Sequence, residues 1–264
     1  MNKIFLAMLM ILAFGCRKTS QDQTPDLPGM YKMFLTTSGD IKYDSVAGIE
    51  LYKMYTKDYF IYAATHDSTA SFAVGTYTNE GSKLTEHVIF GTYDTTILPS
   101  YSYVFNSEKT SQGFSQSLKD AGLLQGKFPL QRAEYKHIGN GTECLMDGAW
   151  KLLASYAVQN KDTVWDNYIN YKLCLDGYVI WGAVTQDSVK KKNKTYIGVD
   201  TFEMKGSKGK EFCINSNYFQ NKGTTFDLDV EFKGEDEFKQ TILDSTTGIK
   251  YVEIYQRLNK LTIK

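Results

Sequence analysis

The sequence predicts an all-β chain that folds into two tandem antiparallel barrels of about eight strands each. Three observations support this prediction: a composition that favours strands, a repeat of the same sequence blocks in both halves, and turn signals between those blocks. The chain has 264 residues, with 19 Tyr and 15 Phe but only 4 Pro. Tyr and Phe suit the half-buried surface of a sheet better than a helix interior. At roughly 100–200 residues per domain, the length allows one or two domains.

The repeat is visible in the order of its blocks. Residues 29–33 (Gly-Met-Tyr-Lys-Met) match residues 148–152 (Gly-Ala-Trp-Lys-Leu), and residues 52–64 align without gaps on residues 171–183. Further matched blocks follow in the same order: residues 77–86 with 202–211, 114–117 with 238–241, and 135–138 with 255–258. Chance similarity between β-rich segments would rarely keep both order and spacing, so we infer a tandem duplication.

The repeat also sets the expected domain boundaries. These are residues 1–15 (signal peptide), 16–27 (tether), 28–138 (first domain), 139–146 (linker), 147–258 (second domain) and 259–264 (C-terminal tail). Asp176-Gly177 is an expected two-residue hairpin turn, because Gly tolerates the positive φ of a type I′ turn. The stretch from Lys109 to Gly122 has no counterpart of equal length in the second half, and we expect a short helix there.

The first residues are typical of an exported bacterial lipoprotein. Lys3 precedes an apolar run from Ile4 to Phe14, which is the layout of a secretory signal peptide. Residues 12–16, Leu-Ala-Phe-Gly-Cys, resemble the lipobox of bacterial lipoproteins, in which the Cys thiol is acylated and becomes the mature N-terminus. The resemblance implies lipidation of Cys16, for example with palmitate, and attachment to a membrane through that lipid. An ordinary secreted protein with a chance Cys is the alternative.

The segment after Cys16 bears on location. Residues 17–28 are polar and contain prolines, as expected of a flexible tether. They lack the acidic cluster that some similar lipoproteins carry as a surface-export signal, so we expect the cell envelope, on the outer membrane and facing the periplasm. The 30 basic and 30 acidic side chains cancel, so no net field steers the chain toward nucleic acid. No feature of the sequence identifies a protein partner.

The cysteines and the short motifs of the sequence bear on its chemistry. Acylation of Cys16 would leave Cys144, Cys174 and Cys213, an odd number, so at most one disulfide can form, and buried apolar thiols are the alternative. No Cys or His spacing predicts a metal site, and no nucleophile elbow, P-loop or dinucleotide-binding motif is present. We therefore expect no catalytic residue, no metal, no cofactor and no enzymatic activity.

The first and last blocks of each half resemble the first and last strands of the lipocalin/calycin superfamily. There, an aromatic residue of the first strand packs near an Arg of the last strand at the closed base of a barrel. The resemblance implies a contact of Trp150 with Arg257 in the second half and of Tyr31 with His137 in the first. A further run is similar to one common in the lipocalin-like domain of uncharacterised bacterial lipoproteins: Gly75-Thr76-Tyr77-Thr78, Gly81 and Thr85-Glu86-His87.

A small barrel has an interior just wide enough for its own side chains or for one ligand. Our first expectation is a binding protein for a small, mainly apolar ligand; the alternative is a non-enzymatic structural or protein-interaction lipoprotein with filled barrels. The candidate ligand-binding residues are Tyr62, Tyr77, Glu86, His87, Trp181 and Phe202. Because adjacent strand residues point to opposite faces, only one of Glu86 and His87 is expected to face inward.

A recurrent Asp-Ser or Asp-Thr dipeptide resembles the O-glycosylation sequon of some bacterial periplasmic proteins. The candidate acceptors are Ser45, Ser68, Thr95, Thr163, Ser188 and Ser245. The same dipeptides favour β-turns by themselves, so both interpretations stay open.

Overall fold

The computed structural model describes residues 24–38, 41–43, 49–66, 69–93, 95–120, 132–186, 192–218 and 221–258. Within these ranges every regular element is a β-strand, and the paired strands are antiparallel, so the predicted all-β class is confirmed. Several predicted features lie outside the described residues: the signal peptide, Cys16, most of the tether, Ser45, Ser68, Ser188 and the C-terminal tail.

The first half forms one closed barrel of eight strands with two short extensions. Its strands are β1 (Gly29–Ser38), β2 (Ile41–Tyr43), β3 (Ile49–Tyr55), β4 (Tyr59–His66), β5 (Thr69–Glu80), β6 (Lys83–Tyr93), β7 (Thr96–Leu98), β8 (Tyr101–Lys109), β9 (Gly113–Asp120) and β10 (Arg132–His137). The order around the barrel is β1-β3-β4-β5-β6-β8-β9-β10, and β10 pairs back onto β1. The short strands β2 and β7 pair with β1 and β6.

The second half repeats this plan in a separate sheet. Its strands are β11 (Gly148–Gln159), β12 (Asp162–Asp166), β13 (Tyr168–Leu175), β14 (Tyr178–Gln186), β15 (Asn193–Lys205), β16 (Lys208–Ser216), β17 (Thr225–Phe232), β18 (Glu237–Leu243) and β19 (Lys250–Arg257). Strand β19 closes the barrel on β11, and β12 extends the sheet beside β11. The prediction of two tandem eight-stranded barrels is therefore confirmed.

Both barrels close with the same register. Tyr31 pairs with His137 where β1 meets β10, and Trp150 pairs with Arg257 where β11 meets β19. Each closing ladder contains one irregularity at the same place, just after Met33 and just after Leu152. The matched irregularities indicate that the duplication extends to the backbone.

The turns follow the local sequence, with one exception. Asp176 and Gly177 have φ values of 62° and 77°, so the predicted type I′ hairpin forms between β13 and β14. The predicted short helix between Lys109 and Gly122 is wrong, because β8 ends at Lys109 and β9 follows as a strand. Phe114 belongs to the first interior core and Gln116 accepts a hydrogen bond from the buried Lys53, so residues two apart share one face, which is the period of a strand.

Each barrel uses both faces of its sheet. The inward faces form one apolar core per barrel, the first around Tyr55 and Phe114 and the second around Trp150 and Phe238. The outward faces of several strands meet between the barrels in a third cluster, called here the inter-barrel core. Its members are Met30, Tyr52, Met54, Tyr59, Ile61, Ala63, Ala70, Phe72, Val74, Ala149, Tyr171, Leu173, Ile180, Val184, Ile197 and Val199.

The inter-barrel core is closely packed. A Cβ atom placed on Gly182 would lie only 2.3 Å from the ring of Phe72, so the second barrel needs a glycine at this contact. The rings of Phe90 and Tyr171 contact each other across the same boundary, with centroids 5.4 Å apart and an interplanar angle of 34°. The two barrels therefore share a continuous apolar contact, and each sheet has a buried patch on its outer face.

Candidate functional site

Strand β3 carries a lysine into the interior of the first barrel. Met54 points into the inter-barrel core, so its neighbours Lys53 and Tyr55 point to the opposite face, into the barrel. Lys53 is 4% exposed, and its ammonium lies 5.1 Å from the ring centroid of Phe105 and 5.6 Å from that of Tyr135. A charged group this deeply buried requires a partner.

The partners of Lys53 come from two other strands. Its Nζ donates hydrogen bonds to Glu86 Oε1 on β6 at 2.7 Å and to Gln116 Oε1 on β9 at 3.1 Å. The hydroxyl of Tyr55 also donates to Glu86 Oε1. Strands β3, β6 and β9 are not neighbours in the sheet, so these bonds cross the interior. We call Lys53, Glu86 and Gln116 the first polar bridge.

The second barrel contains the same arrangement. Lys172 Nζ on β13 donates to Glu211 Oε1 on β16 at 3.2 Å and to Gln240 Oε1 on β18 at 2.9 Å. All three side chains are at most 4% exposed. We call Lys172, Glu211 and Gln240 the second polar bridge.

The two bridges occupy equivalent positions of the repeat. Each pair of matching residues lies within a block that aligns between the halves: Lys53 with Lys172, Glu86 with Glu211, and Gln116 with Gln240. The sequence predictions missed these residues as a unit, although the signal was present. Identical polar residues stand at the matched positions of both copies, and each lysine has an aromatic residue before it and an apolar residue after it.

The second barrel has a further acid, Glu253, which is half-buried. It accepts hydrogen bonds from Gln240 Nε2 at 2.6 Å and from the Tyr255 hydroxyl at 2.9 Å. Counted back from the aligned closing blocks, the matching residue of the first barrel is Ala133. Glu253 therefore adds a carboxylate near Lys172 that the first interior lacks.

This difference changes the electrostatics of the two lysines. Burial lowers the pKa of Lys53, and the attraction of Glu86 does not fully compensate. Burial also acts on Lys172, but Glu211 and Glu253 together outweigh it and raise its pKa. The second bridge consequently holds its ammonium more firmly than the first.

A third acid of the second barrel lies beside this bridge. Burial, with a smaller contribution from the negative charge of Glu211, raises the pKa of Asp200 to about 7. The indole Nε1 of Trp181 donates to Asp200 Oδ2 at 2.9 Å, which fixes the orientation of both side chains. The matching positions of the first barrel are Gly75 and Tyr62, so this pair is specific to the second.

Five of the six predicted ligand-binding residues point into a barrel. Tyr62 and Tyr77 pack against the first interior core, and Trp181 and Phe202 belong to the second. Glu86 is part of the first polar bridge. The sixth residue, His87, faces away from the interior, as the alternation along β6 requires, and its Nδ1 lies 2.9 Å from the hydroxyl of Ser102.

The predicted base contacts are present in both barrels. The guanidinium of Arg257 lies 4.0 Å from the ring centroid of Trp150, and its Nη1 donates to the Asp147 carbonyl at 2.8 Å. In the first barrel the rings of Tyr31 and His137 meet edge to face at 5.2 Å. These contacts close one end of each barrel.

Comparison with known proteins adds little to this geometry. No family model matches the chain, and no curated protein matches it. A crystal structure from Nostoc punctiforme, described as a protein with unknown function from the DUF3598 family, covers 88% of this chain and 96% of its own, at 8% identity and a TM-score of 0.24. Values this low carry no argument about activity.

The cysteines form no disulfide among the described residues. Cys144, Cys174 and Cys213 are free thiols, and the last two are buried. Among the described residues, no group of three or more His, Cys, Asp or Glu side chains is arranged to hold a metal ion. The same part of the chain has no helix of the length and hydrophobicity needed to cross a membrane.

Three of the candidate glycosylation residues lie in the described ranges: Thr95, Thr163 and Ser245. Thr163 and Ser245 are exposed. Asp244, which precedes Ser245, accepts hydrogen bonds from the backbone of Thr246 at 2.8 Å, as an Asp at the start of a turn does. At this site the dipeptide has a structural role of its own, whether or not the hydroxyl is modified.

Proposed function

We propose that this chain is a non-enzymatic, lipid-anchored cell-envelope protein, structural or protein-interacting, whose barrels are filled by their own side chains. The carrying observation is the pair of polar bridges, which span both interiors at equivalent positions. A mainly apolar ligand at that level would separate a buried ammonium from its carboxylate. Breaking a buried ion pair in this way costs about 3–5 kcal/mol. This cost weighs against the first expectation of an apolar ligand in the barrels.

Aromatic packing around the bridges supports the same proposal. The rings of Phe114 and Tyr135 stack at 4.8 Å in the first barrel, and those of Phe238 and Tyr255 stack at 5.0 Å in the second. These stacked pairs are equivalent in the repeat and lie next to the bridge residues on β9 and β18. Ring pairs at such distances leave no layer of ligand between them.

The proposal is tested by titrating the delipidated mature protein with a fluorescent fatty acid. We expect no saturable binding. A control variant, Lys53→Ala with Glu86→Ala, removes both charges of the first bridge and opens the first interior, so it should gain affinity for the probe. Stoichiometric binding to the wild type that a Lys53→Ala change weakens would contradict the proposal and favour an interior ligand.

The lipid anchor needs its own test. In its bacterial host, the wild-type chain should incorporate labelled palmitate and partition with membranes. Cys16→Ser should lose both properties, whereas Cys144→Ser, which removes a thiol of the folded part, should keep them. Label that survives Cys16→Ser would refute acylation at this residue.

A further inference from the structure

A cavity of about 260 Å³ opens in the wall of the first barrel, on the outside and apart from the interior. Its lining comes from β5, β6 and the residues that begin β8: Thr76, His87, Val88, Ile89, Ser100, Tyr101 and Ser102. This cavity is separate from the polar bridges and does not depend on whether the barrels are filled.

The cavity forms at a bulge in the ladder between β5 and β6. Val74 pairs with Phe90 but Gly75 pairs with Val88, so Ile89 has no partner across the ladder. A Cβ atom on Gly75 would lie 1.9 Å from the carbonyl oxygen of His87, so only glycine permits this close approach. The extra residue makes the wall locally uneven, as bulges beside binding sites do.

Three hydroxyl groups and one imidazole meet at the cavity. Thr76 is 7% exposed, and its buried hydroxyl oxygen has no hydrogen-bond partner in the part of the chain that the structure describes. His87 Nδ1 and Ser102 Oγ form a pair at 2.9 Å, and Ser100 adds a third hydroxyl to the lining. A buried polar atom without a partner is uncommon and points to a missing ligand group or water.

The chemistry of the lining selects the ligand class. None of the seven lining residues is Asp, Glu, Lys or Arg. Hydroxyl and imidazole groups can both donate and accept hydrogen bonds, and they therefore match a ligand that does the same. Ile89, the extra residue of the bulge, lies on the outer face and supplies an apolar surface for C–H groups. The volume of 260 Å³ corresponds to about nine water molecules of liquid, which suits a single sugar ring.

We propose that this cavity binds a neutral, hydroxyl-rich molecule of the size of one sugar ring. Among the described residues of the second barrel, the matched place has different side chains, because Phe212 stands where the first barrel has His87. Thr201 pairs with Phe212 in the same way as Thr76 pairs with His87, and Thr225 replaces Ser102. The two halves of the molecule therefore differ in function at equivalent places of the fold.

The test is a titration of the full-length mature protein with glucose and N-acetylglucosamine, followed by amide chemical shifts in NMR. At least one sugar should bind saturably and shift the amides of Thr76 and His87. His87→Phe, which introduces the second barrel's residue, should weaken binding at least about tenfold through lost hydrogen bonds. Thr201→Val, the matched change in the second barrel, should leave binding unchanged.

Three results would overturn the proposal: no saturable binding of either sugar, binding that His87→Phe leaves intact, or binding of inorganic phosphate in place of the sugars. If His87→Phe fails to fold, Ser102→Ala removes one hydroxyl from an exposed position and takes its place. Failure here leaves the filled-barrel proposal standing, because the fatty-acid titration reports on the interior alone.

Discussion

Removing one member of the first polar bridge would leave a charge that water cannot reach. Lys53 and Glu86 are 4% and 1% exposed, and their nitrogen and oxygen atoms are 2.7 Å apart. Glu86→Leu leaves the ammonium with Gln116 as its remaining partner, and Lys53→Met leaves a buried carboxylate. Each single change should cost about 3–5 kcal/mol of the free energy of unfolding.

The double variant Lys53→Met with Glu86→Leu removes both charges together. Replacing a buried pair by apolar residues is often neutral or stabilising by about 1–4 kcal/mol. The double variant should therefore be more stable than either single one, with a coupling energy on the order of 3 kcal/mol or more.

The assay is urea unfolding followed by far-ultraviolet circular dichroism, with all four members of the cycle at one pH. The pair Lys32 and Glu50 in the same barrel is the control, because these side chains are 43% and 39% exposed at 3.5 Å. Its cycle should give a coupling of about 1 kcal/mol or less. If the coupling energy of the buried cycle is no larger than that of this control, Lys53 is not a desolvated, paired ammonium.

Three further predictions concern the second barrel, the tyrosines and the inter-barrel core. Because burial raises the pKa of Asp200 to about 7, the native state holds this proton more tightly than the unfolded state, so stability should fall as pH rises from about 4 toward 7. Asp200→Asn should reduce this dependence of the unfolding free energy on pH, measured by urea unfolding. An unchanged slope would count against the raised pKa of Asp200. Burial also raises the pKa values of Tyr55 and Tyr255 well above the ordinary value, so stability should fall as pH rises through about 10. Ultraviolet absorbance of tyrosinate should then show these groups titrating only on unfolding, and ordinary titration in the folded protein would contradict their burial. Phe72→Ala should cost about 3–5 kcal/mol in the same unfolding assay, because the ring is fully buried between the barrels; a loss below about 1 kcal/mol would mean that this contact is loose.

Features that depend on local pattern could be predicted from the sequence. The order of repeated blocks predicted two barrels, Asp176-Gly177 predicted a hairpin, and the end blocks predicted the contact of Trp150 with Arg257. In each case the informative residues are close in sequence or stand at matched places of the two copies. The helix expected after Lys109 is wrong because unequal length does not specify a helix, and because Phe114 and Gln116 both face the interior of the barrel from one strand.

Features that depend on distant contacts could not be predicted in the same way. Lys53 and Gln116 are 63 residues apart, and only closure of the barrel brings them together. The inter-barrel core was missed because Tyr52 and Met54 alternate with inward residues, and a single sequence does not show that the outer face of a strand is also covered. The sequence signal for this core is that the same strands carry apolar residues on both faces.

A polar bridge occupies the interior of each barrel, and a high-resolution crystal structure of the protein purified from its own host would show both bridges at once. We expect continuous density joining Lys53 to Glu86 and Gln116, and Lys172 to Glu211 and Gln240, at hydrogen-bond distances. Elongated non-protein density between the lysine and the glutamate of either barrel, with those bonds broken, would show instead that a ligand occupies the interior.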